Sequence, residues 1–230
     1  MNNFDVAVIS FLNQFARKSV RFDNLVVVVS GSELLKTGLL VAFMWWIWFE
    51  NEDARRKREV LLAGTAAIVP ALLIAKVLAA IVFRPRPLLE PRLQFQRPFG
   101  INIAEWQQGS SFPSEHAVLL LALATGICYA SRKAGWVALT YAAVIGCLPR
   151  LYLGEHYATD VIAGAAIGIG CVSLANLPGI RRPLTGWALR WMASKPSQFY
   201  CCAFLVSYEI GELFGDAIRL ATFIMHGLKL

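Results

Sequence analysis

The sequence predicts an all-α fold, an integral membrane helical bundle of about six spans with an N-terminal interfacial helix. Three observations lead there. The 230 residues are 57% hydrophobic and 16% charged, against about 25% charged in an ordinary soluble domain. The mean hydropathy is +0.54. The cations behind the net charge of +7 fall in short gaps between apolar runs, a pattern of membrane loops rather than of a nucleic-acid-binding face.

The elements follow in order. Residues 4–16 set Phe4, Val8, Phe11, Leu12 and Phe15 at helical spacing, a short helix expected to lie in the interface. Residues 22–30 are a second apolar patch, too short to cross alone. Residues 1–20 lack the apolar core and small-residue cleavage site of a signal peptide, so insertion is expected to rely on the spans themselves. The first span runs from Leu34 to Phe49 and ends in an aromatic belt of Trp45, Trp46 and Trp48. The second covers residues 60–83 and holds Pro70 and one cation, Lys76. A long polar loop over 84–111, rich in Pro, Arg and Gln, is the natural headgroup-binding surface.

The third span runs from Pro113-Ser114 to Ala130, and the fourth from Trp136 to Leu148, where Pro149 interrupts it. The fifth runs from His156 to Leu177, with Gly164, Gly168 and Gly170 permitting close helix approach. Residues 199–225 read as a sixth, although Glu209, Glu212, Asp216 and Arg219 interrupt it. The chain thus divides into N-terminal interfacial helices (1–32), a transmembrane core (33–178) and a basic loop with a C-terminal membrane segment (179–230). The five cysteines lie in apolar segments without metal-ligand spacing and read as buried hydrophobes.

The 50–58, 131–135 and 179–198 loops carry ten Lys and Arg and fall on one side. The positive-inside rule puts that side in the cytoplasm, although four arginines in the 84–111 loop and three cations near residue 20 oppose it. The other face gathers Arg84-Pro85-Arg86-Pro87, Pro113-Ser114-Glu115-His116, Pro149-Arg150, and His156 with Asp160. Charges at span ends are common as anchors; paired histidines with an aspartate are not. If a helix begins near Glu155, His156 and Asp160 share a face, and the carboxylate accepts a proton from one ring nitrogen, leaving the other for chemistry. Ser114 reads as the N-cap of the third span, and Glu155 as an ordinary loop carboxylate. No His-Glu-x-x-His is present, and no metal or cofactor is expected.

These residues resemble the type 2 phosphatidic-acid phosphatase (PAP2) superfamily, whose site is shared with vanadium haloperoxidases. Its signature is Lys-x6-Arg-Pro, then Pro-Ser-Gly-His, then Ser-Arg-x5-His-x3-Asp. The third part is here Pro149-Arg150-x5-His156-x3-Asp160, with Pro149 for serine, and the second is Pro113-Ser114-Glu115-His116, with Glu115 for glycine. An acidic residue there, and a single span before the first motif, are similar to the bacitracin-resistance type of undecaprenyl-diphosphate phosphatase. The first part departs: counting back from Arg86 reaches Ala79, and from Arg84 reaches Val77. Lys76 lies nearly one turn deeper than Ala79 and has two readings, a reach toward phosphate or a pairing with another buried group.

The resemblance covers residues 4–177 and implies a haloperoxidase-like helical core and a metal-independent lipid phosphatase. It implies His156 as nucleophile forming a phosphohistidine, Asp160 as its orienting group and His116 as acid and then base. Arg86, Arg84, Arg150, Ser114 and Lys76 are then the candidate phosphate ligands, with Arg86 favoured over Arg84. The expected substrate is a polyprenyl diphosphate in the bilayer, cleaved at the outer face of a bacterial inner membrane. Rival readings are a phosphatase of phosphatidylglycerol phosphate, phosphatidate or lipid A, a lipid phosphotransferase, and a non-catalytic lipid-phosphate binder or translocase.

Overall fold

A computed structural model of the chain describes residues 2–102 and 109–213. Among them every regular element is helical. Helices α1 (Asn3–Asn13), α2 (Val20–Gly31) and α3 (Leu39–Phe49) come first, with a π-helical turn at Leu34–Gly38 leading into α3. They are followed by α4 (Ala54–Ile81), α5 (Glu115–Ala130), α6 (Arg132–Tyr141) and the short α7 (Leu148–Tyr152). Helices α8 (Ala158–Ala175), α9 (Pro178–Ser194) and α10 (Pro196–Gly211) complete the described chain.

The core forms where α4, α5 and α8 pack on one another. α5 is apolar all round, and every residue from Ala117 to Ile127 is buried, as expected of a helix with neighbours on all sides. α4 is one-sided: Val60, Gly64, Ala67, Ala71 and Ala75 face inward at helical spacing, while Leu73, Ile74, Val77 and Ile81 are exposed. Close approach of α8 to α5 depends on missing side chains. A β-carbon at Gly164 would collide with the Ser114 carbonyl oxygen, and one at Gly168 with that of Val118.

Three described helical stretches are long and apolar enough to cross a membrane: Ala54–Ile81, Arg132–Tyr152 and Ala158–Ala175. A fourth arises if Val20–Gly31 and Leu34–Phe49, bent by 67° at their junction, count as one broken span. α5 has 16 residues, and the part of the expected sixth span beyond residue 213 lies outside the described residues. The expected first span therefore does not stand alone but is the second limb of a bent pair that begins in the 22–30 patch. The fourth also differs. Its helix runs through Pro149 to Tyr152, because a π-helical stretch at Ala142–Cys147 shifts the hydrogen-bond register just before the proline.

The aromatic belt is only partly at the surface. Trp46 is exposed, but Trp48 is buried, donates from Nε1 to the Tyr200 hydroxyl at 3.2 Å and stacks on Phe199 of α10. α1 exposes Phe4 and Phe11, yet it packs on α7 and α8 and buries a carboxylate, Asp5. At one end of the bundle Arg56 donates to the Tyr129 carbonyl at 3.4 Å and Arg181 lies 3.9 Å from Glu59. These contacts collect the basic loops at the end opposite the histidines.

Candidate active site

The site is assembled by the four segment ends at the other pole. Pro85 and Pro87 deny α4 further amide donors and hold Arg86 extended, with φ −72° and ψ 149°. Three backbone hydrogen bonds then tie the ends together. Ser111 N–H donates to the Arg84 carbonyl at 2.8 Å, Ser114 N–H to that of Asp160 at 3.1 Å, and Leu88 N–H to that of Gly154 at 3.0 Å. Gly154 has φ +71°, and a β-carbon there would lie 2.7 Å from the Phe95 ring. This left-handed residue turns the chain between Arg150 and His156 and is closed to other side chains.

His156 is buried, and its Nδ1 lies 2.8 Å from the Ser111 carbonyl oxygen. A carbonyl can only accept, so Nδ1 carries the proton and the basic lone pair is on Nε2. Burial, and then the Arg150 and Arg86 cations, hold His156 well below the ordinary histidine range. At neutral pH the ring is uncharged, the form a nucleophile needs.

Asp160 does not orient this ring directly. Helix α8 starts at Ala158 rather than near Glu155, so His156 precedes the helix and does not share its face with Asp160. The carboxylate instead accepts the Tyr157 N–H at 2.8 Å as part of a capping box and pairs with Arg84 at 2.5 Å.

Arg84 also differs from expectation. Besides Asp160 it donates to Asp5 at 2.6 Å and to the Thr159 hydroxyl at 2.8 Å, with its guanidinium over the Tyr157 ring. Two fully buried carboxylates thus claim it, and Asp5 also accepts from the Thr159 amide and hydroxyl. Arg84 is the clamp that holds α1 to α8, not an available phosphate ligand. Lys76 is likewise engaged away from the cavity: its half-exposed ammonium pairs with Glu115 at 3.1 Å. That is the pairing alternative, formed at the surface rather than in the interior.

Of the other expected residues, His116 and Arg150 line one cavity, whereas His156, Arg86 and Ser114 are not among its lining residues. A cavity of about 390 Å³ is lined by His116, Arg150, Glu155, Ser30, Glu33 and Lys36, among others. Arg150 is buried, donates from Nη1 to Glu155 at 2.7 Å, and has no hydrogen-bond partner at Nε among the described residues. Arg86 donates from Nη1 to the Glu155 carbonyl at 3.0 Å. Ser114 is fully buried and accepts the Ala117 N–H at 3.4 Å as the α5 N-cap, which sets His116 in the first turn.

Several residues of this cluster escaped the sequence reading. Glu155 is buried, bonded to Arg150 and to the Ser30 hydroxyl, and burial raises its carboxyl above the ordinary range against the pull of Arg150. Lys36 is buried and donates to Glu33 at 2.7 Å and to His116 Nε2 at 3.4 Å. The available signal was the lone cation inside the apolar run Leu34–Phe49, since an ionisable group within a span is a functional candidate by default. Among the described residues no group of three or more His, Cys, Asp or Glu is placed to hold a metal.

An all-helical bundle that brings histidines and several cations together at the ends of apolar helices is an arrangement suited to an anionic group at a membrane. The chain belongs to the PAP2 superfamily, whose family model matches residues 58–177. It is 26% identical over 147 residues to undecaprenyl-diphosphatase BcrC of Bacillus subtilis (strain 168), covering 64% of this chain and 69% of that protein. YbjG of Escherichia coli (strain K12), provisionally named an undecaprenyl-diphosphatase, is 23% identical over 175 residues, 75% of this chain and 82% of its own. Lipid A 1-diphosphate synthase of the same organism is 27% identical over 187 residues, 76% and 74% of the two chains. No solved structure matches. The chain is therefore a phosphatase of the integral membrane kind.

Proposed function

We propose that the chain hydrolyses a polyprenyl diphosphate, undecaprenyl diphosphate in the first place, to the monophosphate at the outer face of a bacterial inner membrane. The observation that carries this is the neutral His156, with its proton fixed on Nδ1 by the Ser111 carbonyl, beside a cavity shared by His116 and Arg150. His156 Nε2 attacks the terminal phosphorus in line; the bond to the bridging oxygen breaks, and His116, which takes up a proton as the anionic headgroup enters and draws Lys36 away from it, protonates that oxygen as the lipid monophosphate leaves. His116 then takes a proton from water, which attacks the phosphohistidine and releases inorganic phosphate. Arg150 and Arg86 neutralise the equatorial oxygens throughout. Asp160 and Ser114 act by positioning, through the α8 and α5 N-termini.

A lipid substrate is supported by a second, apolar cavity of about 270 Å³ lined by Phe22, Val26 and Val29 of α2 with Val144, Leu148 and Tyr152. α2 contributes Val27 and Ser30 to the polar cavity, so a single helix divides a headgroup site from a groove suited to a prenyl chain. The names of the Bacillus and Escherichia relatives point to the same substrate. In this reading α1 lies in the interface, six segments cross the membrane, and the basic end of the bundle is cytoplasmic.

A transfer reaction, in which another lipid replaces water as acceptor, is the second reading, favoured by the likeness to the lipid A 1-diphosphate synthase. The decisive experiment is phosphate release from undecaprenyl diphosphate in detergent with EDTA, by the native chain and by His156→Ala, with and without a lipid acceptor. Release that depends on His156 and not on acceptor is expected; undiminished release by the variant would remove the mechanism.

A further inference from the structure

We propose that Lys36 binds the phosphate group that leaves, and thereby makes the site selective for diphosphates over phosphomonoesters. The inference rests on the diphosphatase reading above and adds the residue that sets its specificity.

Lys36 stands in the π-helical turn Leu34–Gly38, at the bend between α2 and α3. Its position is built rather than incidental. Ser32 accepts the Leu35 N–H on its hydroxyl at 3.3 Å and the Lys36 N–H on its carbonyl at 3.0 Å, and the Tyr141 hydroxyl donates to the Leu35 carbonyl. Only 2% of Lys36 is exposed. A buried ammonium is costly unless it is paired, and Lys36 is paired on both sides, with Glu33 at 2.7 Å and His116 Nε2 at 3.4 Å. An ammonium has donors only, so it donates to that ring nitrogen.

This address separates two classes of substrate. In the proposed reaction His116 serves the leaving oxygen. For a monoester, that oxygen is attached to carbon, and nothing beyond it carries charge. For a diphosphate, it is attached to a second phosphorus with further anionic oxygens, which must occupy the space beside His116. Arg150 lines the same cavity, but the cation within hydrogen-bonding distance of His116 is Lys36. Arg86 donates to the Glu155 carbonyl and Arg150 to the Glu155 carboxylate, at the residue that precedes His156, where they can serve the phosphoryl group that is transferred. Glu33 neutralises Lys36 in the empty site and is itself one-third exposed, so an arriving phosphate can take its place. The lysine that Lys-x6-Arg-Pro would supply is absent at Ala79, and Lys76 is held by Glu115; a cation from another helix enters the cavity on the leaving-group side.

The test compares kcat/KM for undecaprenyl diphosphate and for phosphatidate in one detergent, using the full chain and Lys36→Met, Lys36→Arg and the double variant Glu33→Gln/Lys36→Met. One charge-assisted contact to a leaving phosphate corresponds to about 10- to 100-fold in rate. Because Lys36 also touches His116, both rates can fall in the Met variant, but the diphosphate-to-monoester ratio should drop by that factor, with the Arg variant recovering part of it. The double variant removes the ion pair as a unit and keeps the comparison valid if an unpaired Glu33 prevents folding. Where monoester turnover is too slow to follow, inhibition by methylenediphosphonate against inorganic phosphate reports the same ratio. A diphosphate-to-monoester ratio within threefold of the native value, whether both rates fall or neither does, overturns the proposal. Failure of the native chain to cleave the diphosphate overturns the underlying reading instead, and is seen before any variant is made.

Discussion

Replacing Arg84 by Met distinguishes a structural clamp from a phosphate ligand. Arg84 bonds Asp5 at 2.6 Å, Asp160 at 2.5 Å and the Thr159 hydroxyl at 2.8 Å. Both carboxylates are 0% exposed, and the arginine side chain is 21% exposed. Removing the cation leaves two acids side by side without compensation, and breaking one buried pair typically costs about 3–5 kcal/mol. For a chain of this size about 2–4 °C of melting temperature corresponds to each kcal/mol. The Met variant should therefore melt about 6–20 °C lower in detergent. At a temperature where it remains folded, its kcat/KM should stay within about tenfold of native, because no bond of Arg84 to the cavity is lost. An unchanged melting temperature with a loss of more than about a hundredfold in kcat/KM would refute this assignment and return Arg84 to the phosphate.

Three other outcomes are expected. Burial and the nearby arginines hold the His156 ring well below the ordinary histidine range, so the unfolded chain binds the proton more readily than the folded one. Its stabilising contribution is then complete above about pH 6.5 and declines as pH falls toward the folded value; melting curves from pH 7.5 to 5 should show this, and His156→Asn should flatten the slope. Gly168→Leu drives a side chain into the Val118 carbonyl and should destabilise by at least about 1–3 kcal/mol, read as a lower melting temperature with α8 displaced from α5. His116→Ala slows both protonation of the leaving group and activation of water, each by about 10²–10⁴-fold. Because a phosphate leaves more readily than an alkoxide, the second step should suffer more, so labelled diphosphate should trap an acid-labile phosphohistidine in this variant and none when His156 is also replaced.

Much of the fold was legible because its cause is local. Apolar run lengths delimit α4 and α8, and the Ser114 cap with its acidic neighbour marks the start of α5. The bends were not legible. The junction at Ser32-Glu33 and the π-helical stretch before Pro149 depend on packing, which decides whether a short apolar patch joins the next helix and whether a proline ends a helix or is absorbed by it. The spacing His156-x3-Asp160 singled out two buried residues at the start of α8 but misjudged their relation. A four-residue interval says that two side chains share a face only where both lie in the helix, and α8 begins two residues after the histidine.

That same displacement accounts for the roles of the residues that pattern reading left aside. Freed from the helix, His156 takes its orienting acceptor from the Ser111 backbone, and Asp160 is released to anchor Arg84 and, through it, Asp5 of α1. Three ion pairs gather at this pole: Arg84 with Asp5 joins elements distant in sequence, while Arg150 with Glu155 and Lys36 with Glu33 beside His116 are local. Each pair brings a cation to a buried depth that it could not occupy alone. Only the last two line the cavity, where an anionic headgroup can compete for the cation. On this argument Glu33 and Glu155 are counter-ions that hold Lys36 and Arg150 at the cavity, whereas Asp5 and Asp160 serve the clamp at Arg84.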